Sequence, residues 1–337
     1  MLTRSSKSRL LFGFLPADLC WWSASITFGL IALWFALSCG SLGCSDFSSL
    51  PPDIRGMRVD RVLAAFCVGG LLSLAGGLLQ LLLRNPLADP YVLGVSGGAA
   101  AGALSFSLLL PASAAIYSLQ SGALFGALLA TALLLVLARR SFVNEIALDS
   151  GTGGIRLILT GVMISAGFGA LITLLLALSP DAQMRGTLFW LMGELDSSDF
   201  VISAWIVLLL ACAWSFTKAA ALNVLSHGEV TAHLLGLNVR RLQISLLLVA
   251  SVSTAAAVAV AGTIGFIGLV VPHALRLVIG NDQRILLPAS VLTGGIALTL
   301  ADLLARSIAA PTQLPVGVIT ALIGVPVFLV LLARSRS

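Results

Sequence analysis

The run VLAAFCVGGLLSLAGGLLQLLLRNPLADP, Val62 to Pro90, decides the fold. From Val62 to Leu83 it carries no charged residue, and Gln80 is its one amide. A helix crossing the hydrocarbon of a bilayer needs about 20 such residues, at 1.5 Å of rise each. The run then stops on Arg84, Asn85 and Pro86, where a cation and a helix breaker mark the exit.

The rest of the chain repeats this pattern. Across 337 residues, 58% are hydrophobic and 10% charged, against about 25% charged in ordinary globular proteins. A mean hydropathy of +1.06 excludes a disordered chain. The sequence predicts an all-α polytopic membrane protein with 1–337 as a single transmembrane domain. Ten spans are expected, at 19–38, 62–83, 92–110, 120–138, 155–178, 200–217, 243–262, 263–280, 286–305 and 314–333. The boundary between the seventh and eighth is the least marked, because Gly262 to Gly268 contains no polar loop. No cleavable leader is expected, since the first apolar stretch lacks a small-x-small site.

An even number of spans puts both termini on one side. With the N-terminus inside, fourteen lysines and arginines fall on cytoplasmic segments and five (Arg55, Arg58, Arg61, Arg185 and Arg306) outside. The positive-inside rule therefore places both termini in the cytoplasm. The net charge of +5 is spread as single arginines between apolar stretches, with only two lysines, which is unlike a nucleic-acid surface. The five cysteines imply no disulfide framework. Cys39 and Cys44 flank one segment end, where the alternatives are a disulfide outside the cytoplasm or buried thiols.

Two loops stand out. Residues 218–242 are too polar to span and too rich in helix formers to be a linker. Two short helices are expected there, with Ser226 capping the run to Leu235 and Gly236 ending it. In 179–199, Pro180 and Asp181 open an amphipathic turn with Phe189, Trp190 and Met192, which predicts a helix lying on the membrane. Gly98/Gly102 and Gly122/Gly126 form GxxxG pairs that suit tight packing between helices.

The residues of chemistry are sparse. His227, His233 and His273 make no HExxH, and no CxxC occurs, so no metal site, cofactor or catalytic residue is expected. No P-loop is present, and neither lysine follows a glycine. The one acidic residue placed within a span is Asp302, near a membrane face, with Arg306 one turn later as an i,i+4 partner. Ion-coupled transporters usually keep charged groups at mid-membrane. The chain has the body of a transporter without a motor, which points to a partner that supplies one.

RNPLADPYVLGVSGGA, Arg84 to Ala99, resembles the FecCD-type permeases of bacterial type II ABC importers, which carry ferric siderophores, haem and cobalamin. The resemblance continues through LSHGEVTAHLLGLNVRRLQ (225–243), GTIGFIGLVVPHALRLVIG (262–280), LADLLAR (300–306) and LPVGVITALIGVPVF (314–328). It implies an inner-membrane homodimer with a path along its two-fold axis, two ATP-binding cassette ATPase subunits below and a periplasmic binding protein above. It implies no enzyme activity of the chain itself.

The resemblance also implies roles for particular residues. Asn85 and Leu87 would line the cytoplasmic gate, with Gly94, Gly97 and Gly98 bringing the third span against its neighbours along the path. Glu229, His233, Gly236, Arg240 and Arg241 would meet the ATPase, on a loop made stiff by its pair of short helices, with Leu234, Leu235, Gly236 and Leu237 as its apolar core. Arg58, Arg61 and Arg306, each expected at a helix end in reach of water, would grip carboxylates of the binding protein. Asp60 stands where the family usually has proline and is a candidate partner for those arginines. His273 is read as a helix-end histidine rather than a haem ligand. The substrate among cobalamin, haem and siderophores is left open. The competing classes are an ion-coupled secondary transporter without an ATPase and a membrane scaffold.

Overall fold

The computed structural model describes residues 16–41, 43–91, 93–109, 115–138, 152–195 and 200–334. Twelve α-helices occur among them: α1 Pro16–Ser38, α2 Pro52–Leu82, α3 Val95–Leu109, α4 Ala115–Ala138, α5 Thr152–Leu178 and α6 Asp181–Leu191, then α7 Val201–Ser226, α8 Glu229–Leu234, α9 Val239–Ala261, α10 Ile267–Ile279, α11 Gln283–Ser307 and α12 Val316–Arg334. Each of the ten expected spans has its helix, and α6 and α8 lie in the two singled-out loops. Seven helices are long and apolar enough to cross a membrane, while α3, α10 and α12 have shorter apolar stretches. The expected cytoplasmic cations Arg4, Lys7, Arg9, Arg139, Arg140 and Arg336 lie outside the described residues.

Helix α2 is the post around which the bundle is built, buried along nearly all of its apolar stretch from Val62 to Leu82. Lipid is as apolar as leucine, so dispersion and close backbone contact hold membrane helices together. The glycines of α2 show this. A Cβ on Gly76 would collide with the Gly268 carbonyl of α10, and one on Gly69 with the Gly294 carbonyl of α11. The two GxxxG pairs mark tight packing as expected, and the structure shows that they meet each other: Gly102 packs on Gly122 and Gly126, and Gly126 on Gly98, locking α3 to α4.

The seventh and eighth spans divide at Gly262, with φ +65, and α10 begins only at Ile267. A Cβ on Gly262 would collide with the Trp190 carbonyl, so only glycine allows the end of α6 to approach. The segment after α6 differs from the expected surface helix. Val316 N–H donates to Gly193 O (2.9 Å) and Glu194 N–H to Ala261 O (3.0 Å), and Gly193 is buried. These bonds satisfy the backbone at three breaks in helical chain, as non-helical backbone at membrane depth requires. Helix α6 forms, but its C-terminal end is tucked into the bundle.

Cys39 and Cys44 are joined by a disulfide across an antiparallel hairpin of β1 Cys39–Gly40 and β2 Gly43–Cys44. This settles the open alternative, and the hairpin marks one end of the bundle. The α2–α3 loop and α8 mark the other.

Candidate functional site

At the hairpin end, two guanidinium groups share one carboxylate and a third lies beside them. Arg61 Nε donates to Asp302 Oδ1 at 3.0 Å, and Arg306 Nε lies 3.0 Å from Asp302 Oδ2. Arg61 also donates to Gln313 Oε1 at 2.8 Å. Arg58 Nη1 donates to the carbonyls of Leu37 (2.9 Å) and Ser38 (2.7 Å), and Arg306 Nη2 to that of Ala36 (3.4 Å). These carbonyls end α1, where the helix leaves acceptors unfilled and its dipole is negative. The helix end and Asp302 together hold the cations in place.

This corrects the expectation that all three arginines reach water. Arg58 is 7% exposed and Arg306 4%, while the Arg61 side chain keeps 18%. The expected i,i+4 pair of Asp302 and Arg306 is present, but Asp302 also anchors Arg61, which helix periodicity alone does not show. Asp60 is exposed and belongs to no ion pair among the described residues, so it does not neutralise the arginines.

At the opposite end, the α2–α3 loop is organised by its own side chains. Asn85 Oδ1 accepts from Leu87 N–H and Asp89 Oδ1 from Tyr91 N–H, both at 2.9 Å. These are the local turns that Asn and Asp favour. Leu87 is left exposed and Asn85 half-buried. Asp89 is buried, and burial pushes its carboxyl up to about 6. Gly94, with φ +80, packs on Ile164 and Ser165 of α5, Gly97 faces Phe168 of α5, and Gly98 packs on Ala130 and Gly126 of α4. The three glycines therefore seat α3 against α4 and α5.

The 218–242 segment holds one short helix where two were expected. Helix α7 continues to Ser226, whose hydroxyl turns back to the Asn223 carbonyl at 2.7 Å, and Gly228 occupies the cap of α8. The AAALNVL run before Ser226 is good helix former and carries α7 past the expected exit. Gly236 ends α8 as expected, with φ +80. Leu237 N–H bonds Ala232 O (3.0 Å) and Gly236 N–H bonds His233 O (2.9 Å), a Schellman closure. The second expected helix is the start of α9, capped by Asn238, whose side chain accepts from Arg241 N–H at 3.0 Å.

Leu234 (79%) and Leu235 (66%) are exposed rather than forming a core, while Ala232 is buried and Leu237 packs inward. His233, Arg240 and Arg241 are exposed, the two arginines in the first turn of α9. Cations at a helix N-terminus oppose its dipole. Glu229 is engaged within the chain: its carboxylate lies 3.5 Å from Arg84, which has φ +47 at the start of the α2–α3 loop. Sequence reasoning missed this link. Arg84 stood in the quoted string but read only as a loop anchor.

A family profile described as the FecCD transport family matches residues 22–334. The hemin transport system permease protein of Yersinia pestis is 41% identical over 288 residues, covering 83% of each chain. The cobalamin import system permease protein of Halobacterium salinarum is 44% identical over 282 residues, covering 83% of this chain and 73% of the relative. A solved inward-facing metal-chelate type ABC transporter superposes with a TM-score of 0.80 at 29% identity, covering 92% of this chain and 97% of its own.

Proposed function

The chain belongs to the FecCD transport family, and on that premise we propose that it is the permease subunit of an ATP-driven importer that moves a large metal chelate, of the haem or cobalamin type, into the cytoplasm. Two copies would form the path, two ATPase subunits would dock at the α8 end, and a soluble binding protein would dock at the hairpin end. The likeness to hemin and cobalamin permeases supports the substrate class. Both termini would be cytoplasmic, as the distribution of cations requires.

The build of α8 carries this reading. Leu234 and Leu235 stand out of a short helix closed stiffly by Gly236, beside the exposed Arg240 and Arg241. Exposed leucines next to uncompensated cations suit a protein partner at the cytoplasmic face. His233 would complete that contact. Glu229 would act through Arg84, passing a displacement of α8 to Asn85 and Leu87 at the gate.

A dimer has support of its own. Helix α5 leaves Ala166, Gly167, Gly169 and Ala170 exposed, and Gly167 and Gly169 have open space beside them. Small residues along an exposed span leave room for a second copy or a bulky cargo. At the other face, Arg61 is the cation available to a carboxylate of the binding protein, with Arg58 and Arg306 adding positive charge behind it.

Reconstitution with the cognate ATPase tests the coupling role. Leu234→Asp with Leu235→Asp should abolish co-purification of the ATPase while the permease still inserts. Undiminished co-purification would contradict the assignment of α8.

A further inference from the structure

A groove runs between α7 and α11, with Leu74 of α2 also lining it. It has a volume of about 320 Å³ and is lined mostly by apolar side chains, among them Cys212, Phe216, Leu287, Pro288 and Val291. That lies in the roughly 300–1,000 Å³ range of small-molecule sites. Two lining side chains are buried yet polar: Ser215 is 4% exposed and Gln283 1%. Neither Ser215 Oγ nor Gln283 Oε1 has a hydrogen-bond partner among the described residues. Buried polar groups are normally paired, so both point to a ligand or solvent that completes them.

The mouth of the groove is cationic. Arg284 lines it, is exposed, and is in no ion pair among the described residues. Lys218, next to the lining Ala219, is likewise exposed and outside those pairs. The nearby carboxylate, Asp282, is already committed, accepting from Asn223 Nδ2 at 2.7 Å and Arg284 N–H at 3.0 Å. Gln283 Nε2 is fixed on Asn281 O (3.0 Å) and Oδ1 (3.1 Å), which leaves its oxygen as the open acceptor. Pro288 has no N–H to give the Arg284 carbonyl one turn back, which adds a second acceptor.

We infer that this groove is a site for an anionic phospholipid bearing headgroup hydroxyls, of the phosphatidylglycerol type, with an acyl chain between α7 and α11 and the phosphate on Arg284. Each part of such a lipid meets its complement. The chain fills apolar space, and the Ser215 hydroxyl donates to an ester carbonyl. The phosphate takes the guanidinium, and the glycerol hydroxyls donate to Gln283 Oε1 and the Arg284 carbonyl. A choline headgroup supplies no donor and brings a cation beside Arg284. The inference rests on the chain being a membrane protein and is independent of the proposed import role.

Native mass spectrometry of the full-length chain, delipidated in detergent and mixed with equal phosphatidylglycerol and phosphatidylcholine of matched chains, tests it. Wild type should retain phosphatidylglycerol by about fivefold or more, the size of one charge-assisted contact. Arg284→Glu should lose that preference. Ala213→Trp, which fills the groove and keeps Arg284, should lose retention of either lipid, with Cys212→Trp as a second filling variant. Thermal unfolding checks that each variant is folded, and Arg284→Gln replaces Arg284→Glu if that variant is not. Equal retention of the two lipids by wild type overturns the inference. So does unchanged preference in the filled variants, because attraction to the general lipid annulus would survive filling.

Discussion

Arg61 and Asp302 stand 241 residues apart in the chain and 3.0 Å apart in the fold, tying α2 to α11 at the hairpin end. The same carboxylate holds Arg306, and Arg58 closes the end of α1 beside them. One negative charge thus organises a cluster whose formal balance is two positive. That surplus leaves the hairpin end with net positive charge.

Asp302→Ala should therefore be costly. It leaves the buried Arg306 without its counter-charge, and breaking a buried pair from one side typically costs about 3–5 kcal/mol. Arg61→Ala removes a partly solvated partner and should cost about 1 kcal/mol or less. Thermal unfolding of the purified chain orders the two. Equal melting temperatures for Asp302→Ala and wild type would contradict this view of the cluster.

The Arg84–Glu229 pair is half-solvated, so its contribution to stability should be small, about 0.2–1 kcal/mol. Its predicted effect is on coupling. Glu229→Arg should lower substrate-stimulated ATP hydrolysis in the reconstituted complex, and Arg84→Glu with Glu229→Arg should restore part of it. A double variant no better than the single one would show that the pair carries no signal.

Asp89 sets a pH dependence. Burial raises its carboxyl from 3.8 to about 6. The folded chain then binds this proton more tightly than the unfolded one, so stability falls as pH rises from about 4 to about 6 and is level above. Asp89→Asn keeps the Oδ1 acceptor for Tyr91 N–H and removes the penalty. Its stability relative to wild type should rise by about 2–3 kcal/mol between pH 4 and pH 7. Parallel melting curves across that range would refute the assignment.

The spans were legible because runs such as Val62–Leu83 have one physical solution in lipid. The tight packing at Gly98/Gly102 and Gly122/Gly126 was legible too, since small residues four apart announce a close neighbour, but not that the two pairs meet each other. Gly236 was readable as a helix stop for its freedom at positive φ. Ser226 misled because a good cap residue also sits comfortably in a last helical turn. The burial of Arg58 and Arg306 was hidden, because a sequence shows where a helix ends but not which other helix end covers it. Arg84 with Glu229, like Arg61 with Asp302, depends on packing between distant segments and leaves no local pattern.

Close backbone contact gives a sharp contrast within α2. Gly76→Ala must push α2 away from the Gly268 carbonyl and should lower the melting temperature markedly, by several degrees or more for about 1–3 kcal/mol of overpacking. Gly56→Ala meets nothing within 4 Å and should be neutral or slightly stabilising, since alanine favours helix. Similar effects for the two would contradict the packing of α2 on α10.

If this chain imports a chelate on ATP supplied by a partner, proteoliposomes holding the permease and its ATPase, presented with binding protein loaded with labelled hemin or cobalamin, will take up the label. That uptake should require ATP and persist when ionophores collapse every ion gradient. Uptake that proceeds without the ATPase and vanishes with the ionophores would contradict it and make the chain an ion-coupled transporter.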